Sequence, residues 1–336
     1  MDKRIFKSIF QTIPFVKLFN FLERLDFSQP NQVRVLTYHR IEDAQAFEQQ
    51  IDFLARTCYV ASMPEFIDAC QGHSTLPPNS VLITFDDAYR NFGECAWPIL
   101  KRHSLSASVF VPTAYPGNNE SIFWWDKLEQ AFYQTGRRDF LHTPVGRLPL
   151  DTSDQRIKAF KRLRKYVKTL PHLQTLACVD QICQELHYVF NHPMVLSWDD
   201  LRQLAGEGVT IGAHTQTHPL LNRISLQEAR DQITGSLQDL QREIGVIHPV
   251  FAYPDGQFSR EIVQIVKDAG FCLAFSTRRG RNDLEHADLY RIRRNNVGRR
   301  ANALILRTRL LQASLIQTFS VPIKAPNINP RRREFT

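Results

Sequence analysis

The chain has 336 residues, 43% of them hydrophobic and 23% charged, with a net charge of +8 and a pI of about 9.3. This balance excludes a disordered chain and a polytopic membrane protein, and the length suits a single α/β barrel carrying an insertion. The positive charge favours acidic partners (anionic lipid headgroups, phosphorylated saccharides or nucleic acid) without choosing among them.

The N-terminal segment, MDKRIFKSIFQTIPFVKLFNFLERLDF, starts as a secretory signal does, but Gln11, Pro14, Lys17 and Asn20 interrupt any apolar stretch and no small-residue cleavage site follows. It is too polar to span a bilayer. The expectation is a cytoplasmic protein with neither signal peptide nor transmembrane helix. Ile5, Phe6, Ile9, Phe10 and Ile13 recur at helical spacing beside Lys3, Arg4, Lys7 and Lys17. Residues 1–30 therefore read as an amphipathic helical segment, either packed on the domain or lying peripherally at an anionic membrane face.

From residue 31 to about 300, short apolar β-branched runs alternate with helical patterns. The strand candidates are residues 33–38, 81–85, 106–111, 208–213, 250–253 and 272–277, with 59–62 weaker. Most are apolar throughout, as parallel strands covered on both faces must be. The helical patterns SLQEARDQITGSLQDLQREIG and SREIVQIVKDAGF each close on a glycine C-cap signal. Alternation at this count predicts a (β/α) barrel, complete or distorted.

The alternation breaks at about 116–196, where the pattern predicts a helical insertion with a capping box from Thr152 to Gln155. Within it Arg156, Lys158, Lys161, Arg162, Arg164, Lys165 and Lys168 follow one another with no intervening acid. Such a run is ordinarily a solvated face, and a phosphate- or membrane-binding surface is the alternative. Residues 301–336 read as a C-terminal helix and a loose basic tail. The six cysteines show neither metal-site nor disulfide-framework spacing and read as reduced. No nucleic-acid motif accompanies the charge, so no nucleic-acid partner is expected.

Chemistry concentrates at strand ends. VLITFDDAYRN delivers Asp86 and Asp87 together at the C-terminal end of a buried strand, where active sites of parallel α/β folds assemble. Adjacent buried carboxylates repel, and a cation resolves the conflict by binding one and leaving the other as a base. Taken alone, an Asp-Asp pair also occurs at turns and helix caps. GVTIGAHTQTHPLL ends another apolar strand on His214 and His218, four residues apart, a spacing that can converge two imidazoles on one ion. With Asp87 they make two nitrogens and one oxygen, the ligand count of a catalytic zinc-type site with open positions. His39, at the end of VRVLTYHR, reads either as a structural imidazole or as a titratable group aimed into a site.

TFDDA, HTQTH and FAYPDG in this order resemble the NodB-homology polysaccharide deacetylases of carbohydrate esterase family 4, over roughly residues 33–115 and 196–297. The resemblance implies a distorted (β/α) barrel of seven or eight strands, with Asp87, His214 and His218 as metal ligands, Asp86 as catalytic base, and a loop of Tyr253, Pro254, Asp255 and Gly256 at the substrate and oxyanion. It implies a divalent ion, zinc first, with Co2+, Ni2+ or Mn2+ as alternatives, and an N-acetylated saccharide as substrate. No C-terminal Leu-x-x-His motif is present. TYHRI resembles the N-terminal segment that supplies the acid in the poly-N-acetylglucosamine deacetylase branch, which makes His39 the candidate general acid. Two departures stand out: Ala88 where the family usually has glycine, and no arginine in the third motif, where Phe251 and Ala252 stand. The implied activity is metal-dependent hydrolysis of N-acetyl groups on an amino-sugar glycan or glycan precursor. The alternatives are a saccharide-binding pseudoenzyme of the same fold and a deacylase of a lipid-linked sugar.

Overall fold

The structure is a computed structural model that describes residues 29–118, 122–189 and 194–318. Its framework is a nine-stranded sheet. Strand β1 (Gln32–Tyr38) pairs in parallel with β3 (Ser80–Asp86), and parallel pairing continues through β4 (Ser108–Val111), β7 (Thr210–Ala213), β8 (Val250–Ala252) and β9 (Leu273–Phe275). Strand β2 (Tyr59–Ala61) adds to β3, while β10 (Asn282–Asp283, antiparallel) and β11 (Arg294–Asn296, parallel) add to β1. The sheet curls into the half-barrel expected of a distorted (β/α) fold.

Alternate residues explain why the strands are apolar throughout. Val33, Val35, Leu82, Phe110, Val250, Ala252 and Phe275 pack into one cluster, while Leu36, Tyr38, Ile83, Phe85, Val109, Ile211 and Phe251 join another on the opposite face. With both faces covered, period-2 polarity has nothing to report. Helices α1 (Ala44–Thr57), α2 (Met63–Cys70) and α3 (Trp97–Arg102) belong to the first half. Helix α2 starts on a capping box from Ser62 to Glu65.

The region expected to be a helical insertion contains helix α4 (Trp124–Gln134), a hairpin of β5 (Phe140–Thr143) and β6 (Gly146–Pro149), and helices α5 (Ser153–Val167) and α6 (His172–Glu185). The hairpin corrects the all-helical expectation. Its strands are four residues each and send only Leu141 and Leu148 inward, too short a pattern to register as alternation. The Thr152–Gln155 box caps α5 as expected. Leu128, Phe132, Leu141, Leu148, Phe160, Leu163, Val179 and Ile182 give this unit a core of its own.

After α7 (Trp198–Gly206) and β7 come α8 (Leu226–Ile244), ended by Gly245 at φ 87°, and α9 (Arg260–Asp268), followed by Gly270 at φ 95°. Both glycines sit where the sequence placed C-caps. Helix α10 (Ala303–Thr318) packs on α1 through Leu306 and Leu310. The amphipathic pattern and the basic tail lie outside the described residues, apart from the chain at 29–30 and α10 itself. Among the described residues no helix is long and apolar enough to cross a membrane. The six cysteines are free thiols.

Candidate active site

Strand β3 carries Asp86 as its last residue, buried, and the chain then turns through two left-handed residues, Asp87 (φ 71°) and Ala88 (φ 48°). Glycine would adopt this conformation without cost, whereas alanine bears a steric penalty. The turn is held from outside: the Ala88 carbonyl accepts from Leu196 N–H, and Arg90 N–H donates to the Met194 carbonyl (2.9 and 2.8 Å). The chain leaving the insertion therefore braces the turn that presents the two aspartates.

Strand β7 ends in a second such turn. Gly212 lies where a Cβ would come within 2.7 Å of the Phe110 ring, so the strand approaches β4 more closely than any side chain permits. His214 follows, then Thr215 (φ 65°) and His218 (φ 56°), with Thr215 Oγ1 accepting from the His218 N–H at 3.0 Å. Both imidazoles thereby face Asp87. Asp87 Oδ1 is 3.4 Å from His218 Nε2 and 3.7 Å from His214 Nε2. His214 Nδ1 lies 2.7 Å from the Ala252 carbonyl, a bond that places its proton on Nδ1 and leaves the Nε2 lone pair facing the carboxylate.

These residues fit a divalent cation. Asp87 Oδ1 is buried and has no hydrogen-bond partner, a costly condition for a carboxylate that a metal would relieve. Burial, followed by the neighbouring Asp86, raises the Asp87 carboxyl well above its ordinary range. Burial also lowers His214 to about 4 and His218 well below its usual value, so both imidazoles are in the neutral form that coordinates metal. Two nitrogens and an oxygen converge, with room left beside them, as a catalytic site requires.

Asp86 has a different environment. Arg294, on β11, grips it in a fork, Nη1 to Oδ1 at 2.7 Å and Nη2 to Oδ2 at 2.8 Å, while its Nε donates to the Ser276 carbonyl at 3.0 Å. Burial alone would raise this carboxyl; Arg294, aided by His214 and His39, outweighs burial and holds it at about 2. Two adjacent aspartates are thus driven apart, one firmly ionised and one poised for a cation. The arginine absent from the third motif is supplied here, 208 positions along the chain from its partner. Sequence reasoning missed it. The available signal was an arginine flanked by the buried Ile292 and Val297 in YRIRRNNVG.

A single cavity is lined by His39, Asp86, Asp87, His214, His218 and Asp255, and so brings together most of the residues singled out from sequence. His39 lies at the end of β1; burial lowers its pKa, and Asp86 opposes the shift. The third-motif loop divides. Tyr253 is fully buried, and its hydroxyl donates to the Tyr290 carbonyl, so its side chain belongs to the core. Pro254 is buried, and Gly256 (φ 67°) presses so closely on Thr277 that a Cβ would overlap its Oγ1. Neither lines the cavity; of the four loop residues Asp255 alone does. Among the described residues no acceptor takes its backbone N–H.

Trp125 is an anchor. It stacks on Phe123 at 4.6 Å, rests against His218 at 4.7 Å, and donates Nε1–H to Tyr89 Oη, which in turn donates to the buried Asp126. The insertion also reaches the cavity through Arg164, Lys168, His172 and Thr175. Lys168 Nζ bridges both Asp255 carboxylate oxygens at 3.1 Å, tying α5 to the third-motif loop.

The curled, mainly parallel sheet carries this candidate centre on its C-terminal rim, where α/β barrels place their active sites. A family model described as polysaccharide deacetylase matches residues 73–274, a span that contains Asp86, Asp87, His214, His218 and the third motif but neither His39 nor Arg294. The chain belongs to the polysaccharide deacetylase family. Its fold is similar to that of the Streptococcus pyogenes deacetylase PplD, solved with acetate (17% identity, TM-score 0.56, covering 85% of this chain and 99% of that one). It is similar also to a de-N-acetylase from Aggregatibacter actinomycetemcomitans (18%, 0.54, 83% and 99%) and to IcaB from Ammonifex degensii (18%, 0.52, 85% and 98%). No curated protein matches the sequence.

Proposed function

We propose that this deacetylase hydrolyses the N-acetyl group of an amino sugar within a glycan or glycan precursor, with a divalent ion, zinc first, held by Asp87, His214 and His218. The observation that carries the reading is the buried, unpartnered Asp87 Oδ1 facing two imidazole Nε2 atoms at 3.4 and 3.7 Å. A bound ion would polarise the amide carbonyl and acidify the attacking water. Asp86, kept ionised by Arg294, takes the proton of that water. The Asp255 N–H donates to the oxygen that gains charge as the carbonyl carbon becomes tetrahedral. His39, across the cavity, protonates the departing amine; its lowered pKa makes any proton it holds easy to release. Trp124 and Trp125 line the space where the sugar would sit.

The test is acetate release from a panel of N-acetylated saccharides. Release should stop with a chelator, return with Zn2+, and vanish in Asp87→Asn along with bound metal. His39→Ala should lose about 100- to 10,000-fold in kcat. Metal binding without acetate release from any saccharide would favour the pseudoenzyme instead.

A further inference from the structure

The cavity lining also includes two arginines that the deacetylase reading does not use. Arg164 comes from α5 and Arg223 from the short turn (Leu221–Arg223) that follows His218. Neither has a carboxylate partner among the described residues; Arg164 has only the Phe160 ring, 6.0 Å from its guanidinium carbon. Elsewhere Arg202, Arg242, Arg299 and Arg300 pair with carboxylates, and what sets Arg164 and Arg223 apart from the remaining unpaired arginines is their place in the lining of this cavity. Within the cavity Asp86 is compensated by Arg294 and Asp255 by Lys168. Two unpaired guanidiniums therefore share a space with a centre that a divalent ion would make more positive still. Their planar forks suit phosphate oxygens.

The cavity holds about 180 Å³, below the roughly 300 Å³ at which pockets for larger ligands begin. The Lys168–Asp255 bridge, both of whose residues line it, ties the insertion to the third-motif loop. The cavity has room for a small substituted sugar, and a neighbouring cavity of about 300 Å³ shares His39, Asp87, Trp125, Arg164 and Asn296 with it.

We propose that Arg164 and Arg223 form a phosphate subsite, so that the sugar presented to Asp87, His214 and His218 is a phosphorylated N-acetyl amino sugar. This rests on the deacetylase reading for its reaction, but the subsite is measurable without it. The phosphate comes either from a soluble sugar phosphate or from a lipid-linked one, and both present the same group to the arginines.

The experiment compares kcat/KM for N-acetylglucosamine, its 1-phosphate and a short prenyl phosphodiester of the same sugar, using metal-loaded wild-type protein and the R164Q/R223Q variant. The wild type should favour the phosphorylated sugars by at least about tenfold, as charge-assisted contacts of this kind provide. R164Q/R223Q should lose most of that preference, and the single variants R164Q and R223Q should each lose part. A further gain on the prenyl compound identifies the lipid-linked source; equal rates on the two phosphorylated sugars identify the soluble one. Equal rates on neutral and phosphorylated sugars in the wild type, or a preference that survives in R164Q/R223Q, overturns the proposal. If no sugar releases acetate the deacetylase reading fails, and calorimetry with inorganic pyrophosphate then decides the subsite alone. Binding at least about tenfold weaker in R164Q/R223Q than in wild type supports it, and equal binding overturns it.

Discussion

Replacing Arg294 with methionine separates its two tasks, holding the fold together and keeping Asp86 ionised. Arg294 is 1% exposed and donates four hydrogen bonds, two to Asp86, one to the Ser276 carbonyl and a longer one to Thr84 Oγ1. Arg294→Met keeps the bulk of the side chain and removes its charge, leaving a buried carboxylate without a partner. Breaking a buried pair from one side costs about 3–5 kcal/mol. The pH dependence gives a second reading of the same interaction. Arg294 holds Asp86 at about 2 in the folded chain, against about 3.9 unfolded, so it contributes about 2–3 kcal/mol that is present above pH 4 and lost as pH falls towards 2. Without Arg294 burial dominates, and the folded pKa rises above the unfolded one. The variant then recovers part of its deficit as pH falls through the raised pKa, over a range where this group leaves the wild type unchanged.

Urea denaturation in the presence of chelator, from pH 4 to pH 8, measures the difference directly. Asp86→Asn in the Arg294→Met background should regain stability at pH 8, because the stranded charge is gone. The acid limb of acetate release should move to higher pH in Arg294→Met, since Asp86 in its proposed role as base must be ionised to act. A loss below about 1 kcal/mol at pH 8, or no recovery in the double variant, would refute the reasoning.

Asp126 offers the opposite sign. It is 2% exposed and burial raises it to about 6, despite the hydrogen bond from Tyr89 and the nearby Arg40. A carboxyl that binds its proton more tightly folded than unfolded lowers stability as pH rises from about 4 to 6. Asp126→Asn keeps an acceptor for Tyr89 and should stabilise the protein at pH 8 by up to about 3 kcal/mol, the gain vanishing below pH 4; a gain of the same size at pH 4 would contradict the account. Gly256→Ala meets Thr277 from a left-handed backbone and should cost about 2–4 kcal/mol in urea denaturation, with a loss of activity from the displaced Asp255. A neutral Gly256→Ala would mean that the loop yields freely.

What the sequence disclosed and what it withheld divide along one physical line. Strand ends are legible because a buried apolar run that stops on Asp86 and Asp87, or on His214 and His218, has to spend its polar residues on chemistry or on caps. Helix ends are legible for a similar reason: Thr152 with Gln155, and Gly245 and Gly270, satisfy local backbone groups. The hairpin of β5 and β6 left no trace because eight residues with two inward leucines fall below any usable period. Arg294 carries no mark of its role in the sequence, although it is among the most deeply buried side chains in the molecule.

Arg294 and Lys168 explain why the remainder was out of reach. Each meets its aspartate across a long separation in sequence, 208 positions for Asp86 and 87 for Asp255. A lone charge in the sequence carries no mark of whether it will be solvated or paired. The departures from the family pattern were therefore misleading in one respect. An arginine that grips Asp86 is present but arrives on β11, a strand that exists only because Arg294 and its neighbours pair with β1. Ala88 tolerates a left-handed turn because Leu196 and Met194 pin it from outside. Both solutions come from segments distant in sequence from the motif they complete, so the motifs read by themselves show neither.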